Sequence, residues 1–106
     1  MRTELRRQFL QPVYLVNAYA NAAWNEIVFL AAIVQPPAFD PAADDAVNYG
    51  AMGAIIGHEI SHLFDDKGRA SDGDGMLRDW WTAEDAKRFT ASAKRLQDQV
   101  GAYEPI

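Results

Sequence analysis

The chain has 106 residues, 49% of them apolar and 11% aromatic, which bounds it to one domain with enough apolar mass for a core. Its 10 Lys and Arg against 15 Asp and Glu give a net charge of −5, the opposite of the basic face that a general nucleic-acid binder needs. With no cysteine, disulfides and thiolate metal ligands are excluded, and no apolar run approaches the roughly 18 residues of a membrane span.

Residues 1–12 read as a short helical lead-in closed by Pro12, with Arg2, Arg6 and Arg7 around Glu4 as a solvated terminal turn. Gln8, Gln11 and Pro12 interrupt the apolar stretch that a signal peptide would need. The run PVYLVNAYA is rich in β-formers and closes at the turn-prone Asn21. Trp24 to Val34 opens as a strand through Ile27, Val28 and Phe29, and Pro36-Pro37 stops it.

Asp40-Pro41 starts a turn, and Asp44 or Asp45 caps a helix expected over about 44–64. Gly50, Gly53 and Gly57 lie inside it, each costing about 1 kcal/mol of helix stability relative to Ala. With Ala54 and Ser61 they form a smooth stripe, expected to pack closely against another backbone. DDKGRASDGDGMLRDWW reads as a long polar loop. Its Asp72, Asp74 and Gly75 suit a tight turn, since the terminal Glu of a calcium loop is absent. A last helix runs from the N-cap Thr82 to about Val100, with Glu84 and Asp85 in its first turn facing the positive end of the dipole. Ala86, Phe89, Ala93, Leu96, Val100 and Tyr103 recur at steps of three and four as its packing face.

The chemistry concentrates in GAIIGHEISHLFDD. Residues four apart on a helix share a face, so His58 and His62 can point at one zinc ion, and Glu59 can reach a water held there. Catalytic zinc takes three protein ligands and a water, and this motif offers two. There is no third His. Asp65 and Asp66 stand three and four residues after His62, either as acceptors that hold a His ring or as substitute ligands. Glu84, Asp85 and Glu104 are looser candidates.

Three runs carry a resemblance: VNAYANAAWNEIVFLAAIVQPPAFD, NYGAMGAIIGHEISHLFDDKG and DGDGMLRDWWT, in that order from Val16 to about Tyr103. Together they resemble the neprilysin family of zinc endopeptidases. The resemblance implies that His58 and His62 bind Zn2+, that Glu59 is the catalytic glutamate and that Asn17 and Ala18 hydrogen-bond the backbone of a peptide substrate. It also implies an edge strand beside the cleft near Ile27 to Phe29, suited to strand addition by an extended peptide. The chain departs from the family at Ala20, where a second Tyr is usual, in FLAAIVQPPAF, and at Leu63, where Gly is usual. The family's third ligand is a Glu in a later Gly-Glu-Asn-x-x-Asp motif, and this chain stops at AYEPI before one.

The resulting expectation is an α+β, zincin-like partial catalytic domain over residues 1–106. In it the His-Glu-x-x-His helix and the C-terminal amphipathic helix pack on a small sheet or hairpin. Three functional readings follow: a zinc metallopeptidase, a zinc-binding module that needs a complementing chain, and a structural domain that holds no metal. Exposed apolar surface predicts self-association. The family resemblance implies action outside the cytoplasm, although no signal peptide or membrane span is visible.

Overall fold

The computed structural model describes residues 9–104. Arg2, Arg6, Arg7 and most of the expected lead-in helix lie outside the described residues, and residues 9–12 form no helix. The first regular element is a hairpin of two antiparallel strands, β1 (Ala18–Asn21) and β2 (Glu26–Phe29), in the register Ala18↔Phe29, Tyr19↔Val28, Ala20↔Ile27 and Asn21↔Glu26. Asn25 closes the four-residue turn at φ 49°, a left-handed conformation that Asn tolerates better than most residues.

Both strands are shorter than the β-formers suggested. Ahead of β1 the chain is occupied with local turns, Leu15 N–H to Pro12 O and Asn17 N–H to Leu15 O. After β2, Leu30 N–H still bonds Asn17 O, but Ala31–Ile33 then wind into a 3-10 turn. Ala31 and Ala32 are weak strand formers, and Ala32 N–H is drawn to Val13 O. The turn drives Leu30 and Ile33 inward, and with Ala18 these are the buried apolar side chains among the described residues.

α1 (Asp45–Ser61) starts where its capping chemistry dictates: the Asp44 carboxylate accepts from Ala46 N–H at 2.8 Å. It packs on β1, and its one buried residue is Glu59. The helix ends three residues earlier than expected, with His62 as C-cap. Leu63 N–H and Phe64 N–H bond Ile60 O and Ser61 O in tighter turns. The glycine stripe does not meet another backbone among the described residues. A Cβ added at Gly50, Gly53 or Gly57 would find nothing within 4 Å. The helix turns its Glu59 side inward and leaves the small residues open.

The polar loop after α1 is ordered by side chains acting on backbone. Asp72 Oδ1 accepts from Asp74 N–H and Met76 N–H, both at 3.0 Å, which makes the tight turn expected there. The loop also grips the hairpin tip: Asn25 Nδ2 donates to Gly73 O at 3.1 Å. Gly75, at φ 75°, lies so near Ala23 that a Cβ would run into that residue's carbonyl.

α2 (Ala83–Gly101) opens with a full capping box between Thr82 and Asp85. The expectation that it packs on the hairpin is not met. None of its residues is buried, and the visible tie is Phe89 against Trp81, with ring centroids 4.9 Å apart. The apolar stripe is present, but no described element lies across it. The radius of gyration is 17.2 Å, against about 13 Å for a compact domain of this size. The class is α+β, the described residues forming two α-helices and a two-stranded antiparallel sheet.

Candidate metal centre

His58 sits in the last turn of α1 and His62 caps it, so one helical turn separates them and their rings converge. The two Nε2 atoms are 3.0 Å apart and the rings meet edge to face, at 4.6 Å between centroids. Two imidazole nitrogens on one tetrahedral zinc, each at about 2.0–2.1 Å, stand roughly 3.3 Å apart. The pair is therefore nearly at the spacing that a shared zinc requires, and imidazole nitrogen suits that metal. Both rings are exposed, while Glu59 between them is only 6% exposed. The Glu59 carboxylate makes no hydrogen bond to another described residue.

Asp65 stands on the far side of the His62 ring. Its Oδ2 is 3.0 Å from Nδ1, so it cannot share a metal with Nε2 of the same imidazole. Its Oδ1 accepts from Lys67 N–H at 2.9 Å and Gly68 N–H at 2.8 Å. Burial pushes the Asp65 carboxyl up. The Gly68 N–H, the His62 ring and the Lys67 N–H outweigh that and hold it below the usual carboxylate range. A carboxylate facing Nδ1 favours the tautomer with hydrogen on that nitrogen, which leaves the Nε2 lone pair facing His58.

The other sequence candidates are elsewhere. Asp66 is exposed. Glu84 pairs with Arg88 at 3.0 Å, Asp85 belongs to the capping box, and Glu104 is exposed past the end of α2. No group of three His, Cys, Asp or Glu side chains that could hold a metal occurs among the described residues. Asn17 precedes β1 with its side chain donating to Gln11 at 2.9 Å and its carbonyl engaged by Leu30 N–H, while Ala18 is buried.

A cavity of about 220 Å³ opens beside His62, walled by Ala20, Ala22, Leu63, Asp65 and Lys67. Ala20 and Leu63, two of the departures noted above, thus face one space. Sequence reasoning missed the part played by Lys67 and Gly68. The signal was there in Asp65-Asp66-Lys67-Gly68, since an Asp side chain readily bonds N–H groups two and three residues on.

The chain is similar to known proteins over most of its length. Residues 17–106 match peptidase family M13. Neprilysin of Homo sapiens is 41% identical over 96 residues, covering 91% of this chain and 13% of its own. Endothelin-converting enzyme 1 of Bos taurus is 40% identical over 98 residues, covering 92% of this chain and 13% of its own. The crystal structure of zinc metalloprotease Zmp1 of Mycobacterium tuberculosis, in complex with an inhibitor, is 56% identical and superposes with a TM-score of 0.84, over 94% of this chain and 15% of its own. The chain thus spans a small part of the length of the relatives it matches.

Proposed function

The chain belongs to peptidase family M13, and from that premise we propose that it supplies the nucleophile-activating half of a zinc endopeptidase centre. The observation that carries this reading is the 3.0 Å approach of His58 Nε2 to His62 Nε2, beside a buried Glu59. His58 and His62 would hold the metal through Nε2. Bound there, zinc supplies a Lewis acid that acidifies water and polarises a peptide carbonyl. Glu59 accepts the proton of the attacking water and passes it to the departing amine. Asp65 holds the His62 ring in the orientation that turns Nε2 toward His58.

The substrate is an extended peptide. In a two-stranded sheet each strand has one unpaired edge, and β2 can take a peptide by strand addition. Asn17 and Ala18, at the entry of β1, would contact the peptide backbone. The family's action outside the cytoplasm is carried over with the activity. No described helix is long and apolar enough to cross a membrane.

A second reading has its own support. The described residues provide two convergent ligands and no third. The chain then binds zinc weakly by itself and turns over peptide only when another segment or chain contributes a carboxylate. Zinc stoichiometry and peptide hydrolysis, measured for the wild type and for Glu59→Gln, separate the readings. Zinc binding in both proteins, with hydrolysis reduced about 10²–10⁴-fold in the variant, supports the peptidase. Zinc binding without hydrolysis in either supports the module that needs a complementing carboxylate. No zinc in either protein contradicts both.

A further inference from the structure

The turn after His62 contains a device that the zinc reading leaves unused. The Asp65 carboxylate is divided between two duties, with Oδ2 3.0 Å from Nδ1 of His62 and Oδ1 on the N–H groups of Lys67 and Gly68. Gly68 is buried against the end of α1. A Cβ there would press on the carbonyls of His62 and Leu63 well inside contact distance, and since these are backbone atoms the turn itself would have to shift. The Gly68 carbonyl accepts from Trp80 Nε1 at 3.4 Å, and Trp80 meets Phe64 edge to face at 5.9 Å. The turn is thus seated on the helix end from one side and held by an indole from the other.

Resting on the reading of His62 as a zinc-holding residue, we infer that Gly68 is a positioning residue for the metal centre. Its close approach to the His62 and Leu63 carbonyls presents two backbone N–H groups to Asp65, and Asp65 then fixes the tautomer and direction of the His62 ring. The requirement is steric and specific to this position. An Asp side chain has two free torsions, and the two N–H groups set the plane of its carboxylate. With that plane set, Oδ2 meets Nδ1 and the ring aims Nε2 at His58. A side chain at 68 lifts the turn, the carboxylate swings, and the ring loses its preferred tautomer. Partners that orient a metal-binding His in this way are worth about 10–100-fold in metal affinity.

The test uses the full chain and compares wild type, Gly68→Ala, Lys67→Pro, Asp65→Asn and the double variant Gly68→Ala/Asp65→Asn. Gly50→Ala serves as control, since a Cβ there meets nothing within 4 Å. Two quantities are read: zinc affinity by competition with a chromophoric chelator, and the ¹⁵N shifts of the His62 ring in metal-free protein at one pH. The expected result is an affinity loss of about tenfold or more for Gly68→Ala with its circular dichroism unchanged. The wild-type spectrum should show hydrogen on Nδ1, and the variant a mixture of tautomers. The double variant should lose no more than Asp65→Asn alone, because Gly68 acts through Asp65. Lys67→Pro removes one of the two donors without adding a Cβ at 68, and should shift the tautomer the same way if Gly68→Ala does not fold. Unchanged affinity and tautomer in Gly68→Ala, or losses that multiply in the double variant, would overturn the inference. A wild type with no zinc affinity overturns the zinc reading itself, and the tautomer comparison then decides the role of Gly68 independently.

Discussion

The hairpin with the His62–Trp80 loop and the helix α2 are built on opposite plans. The first is held by bonds between residues far apart in sequence. Asn25 reaches Gly73, and Gly75 closes on Ala23. Over a shorter span, Trp80 Nε1 reaches Gly68 O across twelve residues. The second is held almost entirely by itself, through a capping box, a Glu84–Arg88 pair and a Lys94–Asp98 pair, with no residue buried. Exposed pairs of that kind contribute little, on the order of 0.3–0.5 kcal/mol each. Position in the first region comes from close packing, and helicity in the second from local chemistry. His62 stands where α1 meets the first region, and His58 one helical turn before it.

Substitutions at three places distinguish the two plans. Gly75→Ala should have the largest effect. The residue needs a positive φ, and the added Cβ strikes the Ala23 backbone. A loss of about 1–3 kcal/mol in denaturant unfolding is expected. A loss under half of that would mean that the hairpin tip and the Asp-Gly loop are not joined as described.

Thr82→Ala removes the capping box and should cost about 1 kcal/mol, read as reduced helicity by circular dichroism with zinc affinity unchanged. An equal drop in zinc affinity would show that α2 and the metal pair are coupled after all. Gly53→Ala should act in the other direction, stabilising α1 by roughly 0.5–1 kcal/mol, because the space above Gly53 is open. That substitution also sharpens the self-association expected from the exposed apolar faces of α1 and α2. If the stripe is a close-packed interface between copies, Gly53→Ala lowers the mass seen in light scattering, and if it is not, the mass stays the same.

The smallest effect is with pH. The side-chain bond from Arg69 holds the Asp79 carboxyl below its ordinary value near 3.8, and the bonds from Thr82 do the same for Asp85. Both are depressed in the folded chain. Their contribution is fully present above the unfolded value and is lost as pH falls through the folded one. Both groups are solvent-exposed, so a modest decline in stability confined to pH below about 4 is expected in thermal melts. A decline centred near neutrality would contradict these assignments.

Much of this was legible in the sequence where the information is local. Thr82 announced one helix start and the pair Asp44-Asp45 the other, with Asp44 the one that caps, and the spacing of His58 and His62 announced a shared face. The Asp72 turn followed from its own Asp and Gly residues. What could not be read was what each face meets. The stripe of Gly50, Gly53 and Gly57 has the form of a close-packing surface, yet composition cannot say whether a neighbour is present. The stripe of Phe89, Leu96 and Val100 has the right period, yet none of its residues is buried against another described element. The strand after Trp24 was read from Ile27, Val28 and Phe29, and it ends at Phe29 because Ile33 N–H and Val34 N–H bond Leu30 O and Ala31 O in a turn while Ala32 N–H bonds Val13 O. At the site, the motif residues were visible as a pattern, while the support from the Lys67 and Gly68 N–H groups was signalled only by Asp65 two and three residues earlier.

The central claim is that His58 and His62 form one metal-binding pair. Zinc titration of the wild type beside His58→Ala and His62→Ala tests it directly. One zinc per chain in the wild type, lost in each variant by more than the 10–100-fold that a supporting residue commands, is the expected result. Zinc uptake that survives either substitution, or no uptake by the wild type, would contradict it.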